Sequence, residues 1–210
     1  MEPFVLQNDI VRLSIPTRND IPEIIKWCND SQSISGLKLP SPYCEKEAEW
    51  FLANTVNPGW ESGKELTFAL RQTLNEGDGD KEPPAMGTMS IRSAAPPPKF
   101  EPGEVGYVTA PWARGLGLAS AALRLVLAWA FSTDGFDLDV ARWECLPGNA
   151  ASWRVAWKCG FQFDGIWRPE DGGCHTIGNW YGSLKRGAPL EPTAPWPAGA
   201  PLESLEALEA

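Results

Sequence analysis

The sequence predicts a mixed α/β domain built on one central sheet. Three observations carry that prediction. Strand-like and helix-like runs follow one another as βααββ, then βαβ, then αββ, the order of a sheet with helices laid on it. A strand-like run ending near Thr109 passes through a glycine loop into a long apolar helical run, and a later strand passes into a helix that turns at Gly160 into a further strand. The chain has 210 residues, 43% of them hydrophobic, enough for one substantial core. The domain is expected over 1–186, with a Pro/Ala-rich acidic tail over 187–210.

Each element has a local reason. Ile10 to Ile15 alternates apolar and polar side chains, as a half-buried strand does. Thr17 to Asp20 supplies helix-start signals, and Ile21, Ile24, Ile25 and Cys28 then recur at helical spacing, with Pro22 early enough to be tolerated. Ser31 to Cys44 reads as a loop, and Glu45 to Val56 as a second helix stopped by Pro58-Gly59. Leu66–Thr73 and Met86–Ser93 read as strands joined by a polar turn. The helix over Leu118–Phe131 has Arg124 as its only charged residue, so it is expected to be buried nearly all round. Phe136–Leu146 contains a strand, Asn149–Cys159 is a helix, and Phe161–Arg168 with Thr176–Leu184 reads as a hairpin. The tail is expected to be extended or disordered.

Composition narrows the function. A net charge of −9 lacks the basic footprint of a general nucleic-acid binder and suits a cationic acceptor. No run of about 18 apolar residues is present, so no membrane span is expected, and Met1–Leu6 does not begin a secretory signal. Five cysteines (28, 44, 145, 159 and 174) stand far apart without a Cys-x-x-Cys, and His175 is the single histidine. A zinc site and a disulfide scaffold are therefore not expected, and the reading is a metal-free protein of a reducing cytoplasm.

The stretch from Gly103 to Ser120 is where the chemistry concentrates. Its strand ends at Ala110-Pro111, and Arg114-Gly115-Leu116-Gly117 then opens the helix. Glycines let backbone approach a phosphate, the first N–H groups of a helix lack intrahelical partners, and the helix dipole and Arg114 add positive potential. This is the arrangement of an anion site, expected to hold a cofactor pyrophosphate. A second constellation, Asn149-x-x-Ser152 with Gly160-Phe161 after it, reads by itself as a helix N-cap and first turn.

Together, Arg-Gly-x-Gly-x-Ala opening a helix, a strand about 20 residues on, and Asn-x-x-Ser followed by Gly-Phe closely resemble the GNAT acetyltransferase superfamily. The Glu104-Val105-Gly106-Tyr107 strand and the opening strand and helix resemble the branch containing bacterial ribosomal-protein N-terminal (alanine/serine) acetyltransferases. The resemblance covers about residues 5–186, and Ser120 departs from the acidic residue usual there. It implies a mostly antiparallel mixed sheet splayed in a V, about four flanking helices, and acetyl-CoA as co-substrate. Backbone groups of Val108 and Thr109 would pair with the pantetheine arm. Backbone N–H groups of Arg114, Gly115, Leu116, Gly117, Leu118 and Ala119 would hold the pyrophosphate, and Asn149 would bond near the pantetheine amide. Ser152 would face the leaving sulfur as a polarising or proton-donating hydroxyl. Backbone N–H groups of the 106–109 strand would meet the oxyanion. Glu104 is the first choice of base, with Glu144 and His175 behind it. The branch also contains homodimers.

The resemblance implies a primary amine as the acceptor. An α-amino group of pKa about 7.7–8.0 is neutral in roughly a tenth to a sixth of molecules at pH 7, against about one in 2,500 for lysine, a difference in penalty that leaves lysine near 4.6 kcal/mol. A site without a strong base thus leans toward a protein or peptide N-terminus. The acceptor is expected to enter between the Ser31–Cys44 loop, the second helix and the 168–176 turn, with Tyr43 and Trp50 as walls. Glu45, Glu47 and Glu49 are read as first-turn helix charges before they are read as an attraction for a cation. Competing readings are acetylation of a small-molecule amine (amino acid, polyamine or antibiotic), a non-catalytic CoA-binding module, and a dinucleotide oxidoreductase. The last has Gly115-x-Gly117 and Asp137 in its favour, and the missing third glycine against it.

Overall fold

The computed structural model describes residues 1–31, 39–73, 82–93, 102–167 and 178–196. The strands are β1 (Leu6–Gln7), β2 (Val11–Ser14), β3 (Glu65–Gln72), β4 (Gly87–Arg92), β5 (Gly103–Thr109), β6 (Val140–Cys145), β7 (Gln162–Trp167) and β8 (Asn179–Lys185). The helices are α1 (Ile21–Cys28), α2 (Glu45–Phe51), α3 (Asn57–Ser62), α4 (Leu118–Phe131) and α5 (Ala150–Lys158). The strands form one eight-stranded open sheet in the order β1-β2-β3-β4-β5-β6-β8-β7. Among the described residues β5 and β6 are its only parallel pair. That pair is joined by α4, as a parallel pair requires a crossover. The mixed, mostly antiparallel sheet of the sequence reading is therefore present.

The register sorts side chains onto two faces. Leu13, Leu66, Phe68, Met89, Ile91, Val105 and Trp143 are buried beneath α4 and α5. α4 is buried on every side in its first turn and on one broad side after it, through Leu118, Ala122, Leu123, Val126, Leu127 and Ala130, while Arg124 and Leu125 are half-buried and Ala128 is exposed. α3 packs on β3 with Trp60 edge to face against Phe68, and the opposite face of β3 meets the turn that leads into α1. There Arg71 is buried and forms a bidentate pair with Asp20, Nη1–Oδ1 2.7 Å and Nη2–Oδ2 2.8 Å. Its Nε donates to Ser14 Oγ at 2.9 Å, and Nη1 also donates to Pro83 O at 2.6 Å. Asp20 in turn accepts the Thr17 N–H at 2.8 Å, which fixes the entry to α1.

Three differences from the sequence expectation have local causes. The second helix does not stop at Pro58-Gly59. A wide π turn over Leu52–Val56 absorbs the mismatch, and the chain continues as α3 with Pro58 in its first turn, where a missing N–H is tolerated. The short β1 edge strand forms by pairing with β2, a long-range event without a local signal. The first ten residues of the tail are not loose but lie against α4 and α5.

Asp20→Ala is expected to destabilise the fold by about 3–5 kcal/mol, because it strands a buried guanidinium. Urea unfolding measures this, and a loss under about 1 kcal/mol would mean that Arg71 finds solvent or another partner.

Candidate active site

The site begins where β5 and β6 part. They pair only through Gly103–Ala141, Glu104–Arg142 and Val105–Trp143. Beyond that, residues 106–109 stay paired to β4 alone, and no described strand occupies their other edge. A Cβ on Gly87 of β4 would lie 2.1 Å from the Val108 carbonyl, so that carbonyl is directed at β4. Pleating turns alternate residues the other way, which leaves the backbone of Tyr107 and Thr109 facing the gap. Of the two positions expected at an incoming arm, Thr109 thus belongs to the open edge and Val108 to the β4 ladder.

The glycine loop lies just past the end of β5. A short 3₁₀ turn, Pro111–Ala113, leads into it, and Gly117 at φ +78° forms the N-cap of α4. Ala121 N–H is the first to bond back, to Gly117 O at 3.1 Å. The N–H groups of Leu118, Ala119 and Ser120 precede that bond, as a helix's first turn must. A Cβ placed on Gly115 or Gly117 would meet nothing within 4 Å, so these glycines border open space. Leu116 is exposed, and Leu118 is buried as the anchor of the helix start. Arg114 is not simply solvated: Nη2 pairs with Asp30 Oδ2 at 2.7 Å, tying the loop to the end of α1. The residues present therefore fit a pyrophosphate, with backbone donors, room and one cation at its edge.

α5 supplies the other wall. Asn149 caps it, its Oδ1 accepting the Ser152 N–H at 3.0 Å, which commits that oxygen and leaves the amide nitrogen. Ser152 sits in a three-residue network. Trp143 Nε1 donates to Ser152 Oγ at 3.0 Å, Ser152 Oγ donates to Tyr107 OH at 3.3 Å, and Tyr107 OH donates to Ser152 O at 2.7 Å. Burial pushes the Tyr107 phenol well above its usual range, so it stays protonated. The network holds the Ser152 hydroxyl over the point where β5 and β6 part. Sequence reasoning named Ser152 and missed Tyr107 and Trp143, although their places two apart on adjoining strands and one turn from Ser152 are set by pairing alone. Cys145, at the end of β6, is pushed up to about 12 by burial and is a neutral thiol at neutral pH.

The carboxylates lie on the sheet face away from α5. Glu104 is half-buried on β5, opposite Arg92 and Arg142. Glu144, one position beyond the last β5–β6 pair, is paired with Arg142 and accepts from Asn179 Nδ2 at 3.3 Å. Arg142 also lies over the Tyr181 ring, 5.4 Å from its centroid. On α2, Glu47 accepts from the Cys44 N–H at 3.1 Å and so caps the helix start, and Glu49 pairs at 2.6 Å with Arg18 of the turn that precedes α1. Glu45 is exposed. Tyr43 is not a wall of the cleft but part of the core, whereas Trp50 is 62% exposed. His175 and the 168–176 turn lie outside the described residues, as do residues 32–38 of the 31–44 loop. No group of histidine, cysteine and carboxylate side chains able to hold a metal is found among the described residues.

The sequence matches the family model described as an acetyltransferase (GNAT) domain over residues 11–162. No curated protein matches it. Among solved structures, RimL, a ribosomal L7/L12 α-N-protein acetyltransferase in complex with coenzyme A, superposes with a TM-score of 0.69 at 15% identity, covering 87% of this chain and 98% of its own. RimJ of Mycobacterium smegmatis, in complex with CoA-disulfide, gives 0.68 at 17% identity over 87% and 86%. The microcin C7 self-immunity acetyltransferase MccE, in complex with acetyl-CoA and AMP, gives 0.64 at 16% identity over 85% and 93%.

Ser152→Ala is expected to leave the Trp143 indole N–H without its acceptor and to cost about 1–3 kcal/mol of stability. Urea unfolding reads this, and an unchanged stability would show that a water takes the place of the hydroxyl.

Proposed function

We propose that this chain, which belongs to the GNAT acetyltransferase family, transfers an acetyl group from acetyl-CoA to the α-amine of a protein or peptide N-terminus. Acetyl-CoA as donor and a primary amine as acceptor follow from the family; the choice of an N-terminus is the finer reading. The observation that carries the donor's place is the open edge of residues 106–109 running straight into a glycine loop and a helix N-terminus. An extended amide arm and a pyrophosphate joined end to end fit that continuous row of donors.

In this reading the backbone of Thr109 and Tyr107 pairs with the arm, as an added strand would. The Val108 carbonyl holds β5 to β4. The N–H groups of 115–119 receive the pyrophosphate; the Arg114 N–H, expected among them, is directed instead at Pro111 O at 3.4 Å, and the Arg114 side chain adds charge from the Asp30 side. The amide nitrogen of Asn149 donates to the arm from α5. The thioester supplies an activated acetyl group, and N–H groups of the 106–109 edge stabilise the oxyanion that develops as the amine adds. Ser152, held by Trp143 and Tyr107, polarises the departing sulfur or relays a proton to it. Glu104 receives the ammonium proton, with Glu144 the second choice; both stand on the acceptor side of the sheet.

Four considerations support the N-terminal acceptor. An α-amine needs little help to lose its proton, whereas lysine carries the larger penalty. The two candidate bases are carboxylates lying beside arginines. The net charge of −9 favours a cationic partner. RimL, whose fold this chain shares, is by name a ribosomal L7/L12 α-N-protein acetyltransferase. A cytoplasmic setting belongs to the same reading: the four described cysteines are free, and no helix among the described residues is long and apolar enough to cross a membrane.

Calorimetric titration with acetyl-CoA, with NADH as control, tests the donor, and a panel of N-terminal peptides, lysine peptides and small amines tests the acceptor. Binding of acetyl-CoA alone and faster transfer to free N-termini are expected. Preference for a polyamine or antibiotic would move the acceptor to a small molecule, and failure to bind would leave a non-catalytic module. Gly117→Val is expected to abolish acetyl-CoA binding, since it places a β-branched residue at positive φ where the pyrophosphate sits; unchanged affinity would refute the loop assignment. Ser152→Ala is expected to lower turnover with little change in acetyl-CoA affinity, and wild-type turnover would reduce Ser152 to a structural part of the network.

A further inference from the structure

α5 is held from outside as well as from the sheet. Past β8 the chain turns back and runs along the outer side of this helix. It meets Gly160 first: a Cβ there would lie 2.1 Å from Pro189 O and 3.2 Å from Glu191 O, so only glycine admits the strand of backbone. Next, Arg124 reaches out of α4. Its Nε donates to Leu190 O at 2.8 Å and its Nη2 to Lys158 O at 2.6 Å, so one guanidinium joins α4, the last carbonyls of α5 and the strap. Then Trp157 Nε1 donates to Ala194 O at 2.9 Å. Last, the Trp196 ring meets Trp157 edge to face at 5.3 Å and lies under the Arg154 guanidinium, 5.3 Å from its centroid. The contacts climb the helix from its C-terminal end to within one turn of Ser152.

The inner side of the same helix carries the Ser152 network and Trp153, which is fully buried against Trp143. Because β6 has left β5 at this point, the sheet beneath α5 is incomplete where Ser152 must be held. The residues matched by the family model end at 162, so the strap lies beyond them. Arg124, the one charge on an otherwise apolar helix, finds its purpose here.

We propose that residues 187–196 are a positioning strap that seats α5, and so fixes the Ser152 hydroxyl over the gap for catalysis. Trp196 acts through Ser152 and is a positioning residue, not a catalytic one. The proposal rests on the acetyl-transfer reading for its kinetic consequence, but not for its structural one.

The test uses the full chain, with Trp196→Ala and Trp196→Phe made in the wild-type and Ser152→Ala backgrounds. Hydrogen exchange of α5 is read beside that of β3, and kcat is read at saturating acetyl-CoA and amine. Trp196→Ala is expected to speed exchange in α5, including the Ser152 amide, without changing β3. It is expected to lower kcat about fivefold in the wild-type background and hardly at all on top of Ser152→Ala, a coupling of the size seen between residues of one network. Trp196→Phe should restore most of the loss. Unchanged exchange in α5, unchanged kcat, an equal loss in both backgrounds, or wild-type turnover of Ser152→Ala itself would each overturn the proposal. A wild-type protein that binds no acetyl-CoA or acetylates no amine would instead defeat the activity reading, and the exchange data would still decide whether the strap seats α5.

Discussion

The parting of β5 from β6 after three residue pairs is the constraint on which the rest depends. Backbone groups inside a sheet are normally spent on the neighbouring strand. Here one edge of 106–109 has no described neighbour, and every nearby element is placed by that fact. α4 starts at the end of that edge because the loop after β5 must turn back across the sheet. α5 starts on the other side because the chain leaving β6 must cross over β8 to reach β7. The two helix starts therefore face one another across the gap, one with free N–H groups and the other with a capped turn bearing Ser152.

The gap has to be held open, and the side chains around it do so. Tyr107 points beneath it and bonds to α5, and Trp143 does the same from β6. On the opposite sheet face the Arg142–Glu144 pair and Asn179 tie β6 to β8. Far from the gap, the Asp20–Arg71 pair fixes the start of α1 against β3. Arg114–Asp30 then joins the end of α1 to the glycine loop. Buried and half-buried ion pairs of this kind matter less for net stability than for holding one arrangement of elements.

What the sequence disclosed was local. The glycine loop, the Asn149 cap and the apolar α4 each carry a short-range signal, and each stands where its pattern predicted. The single central sheet with helices laid on it followed from the order of elements, and its mixed, mostly antiparallel character from the family resemblance. What stayed hidden depends on distant residues meeting. Tyr107 reads as one aromatic in a strand until pairing brings it to Ser152. Tyr43 reads as a loop aromatic until Asn29, bonding to both its N–H and its carbonyl, draws it into the core. The Pro-rich 187–196 segment has the composition of a loose tail, and only Arg124, Trp157 and Gly160 give it a seat. Pro58 reads as a stop because a π turn has no sequence signature of its own.

The central claim is that the open edge of β5 and the start of α4 together receive acetyl-CoA. Residue-resolved hydrogen exchange with and without saturating acetyl-CoA tests it most directly. The account predicts new protection at the Tyr107 and Thr109 amides and over 115–119, with Val108 unchanged because its backbone already serves β4. Binding that protects some other surface and leaves these amides exchanging as before would contradict it.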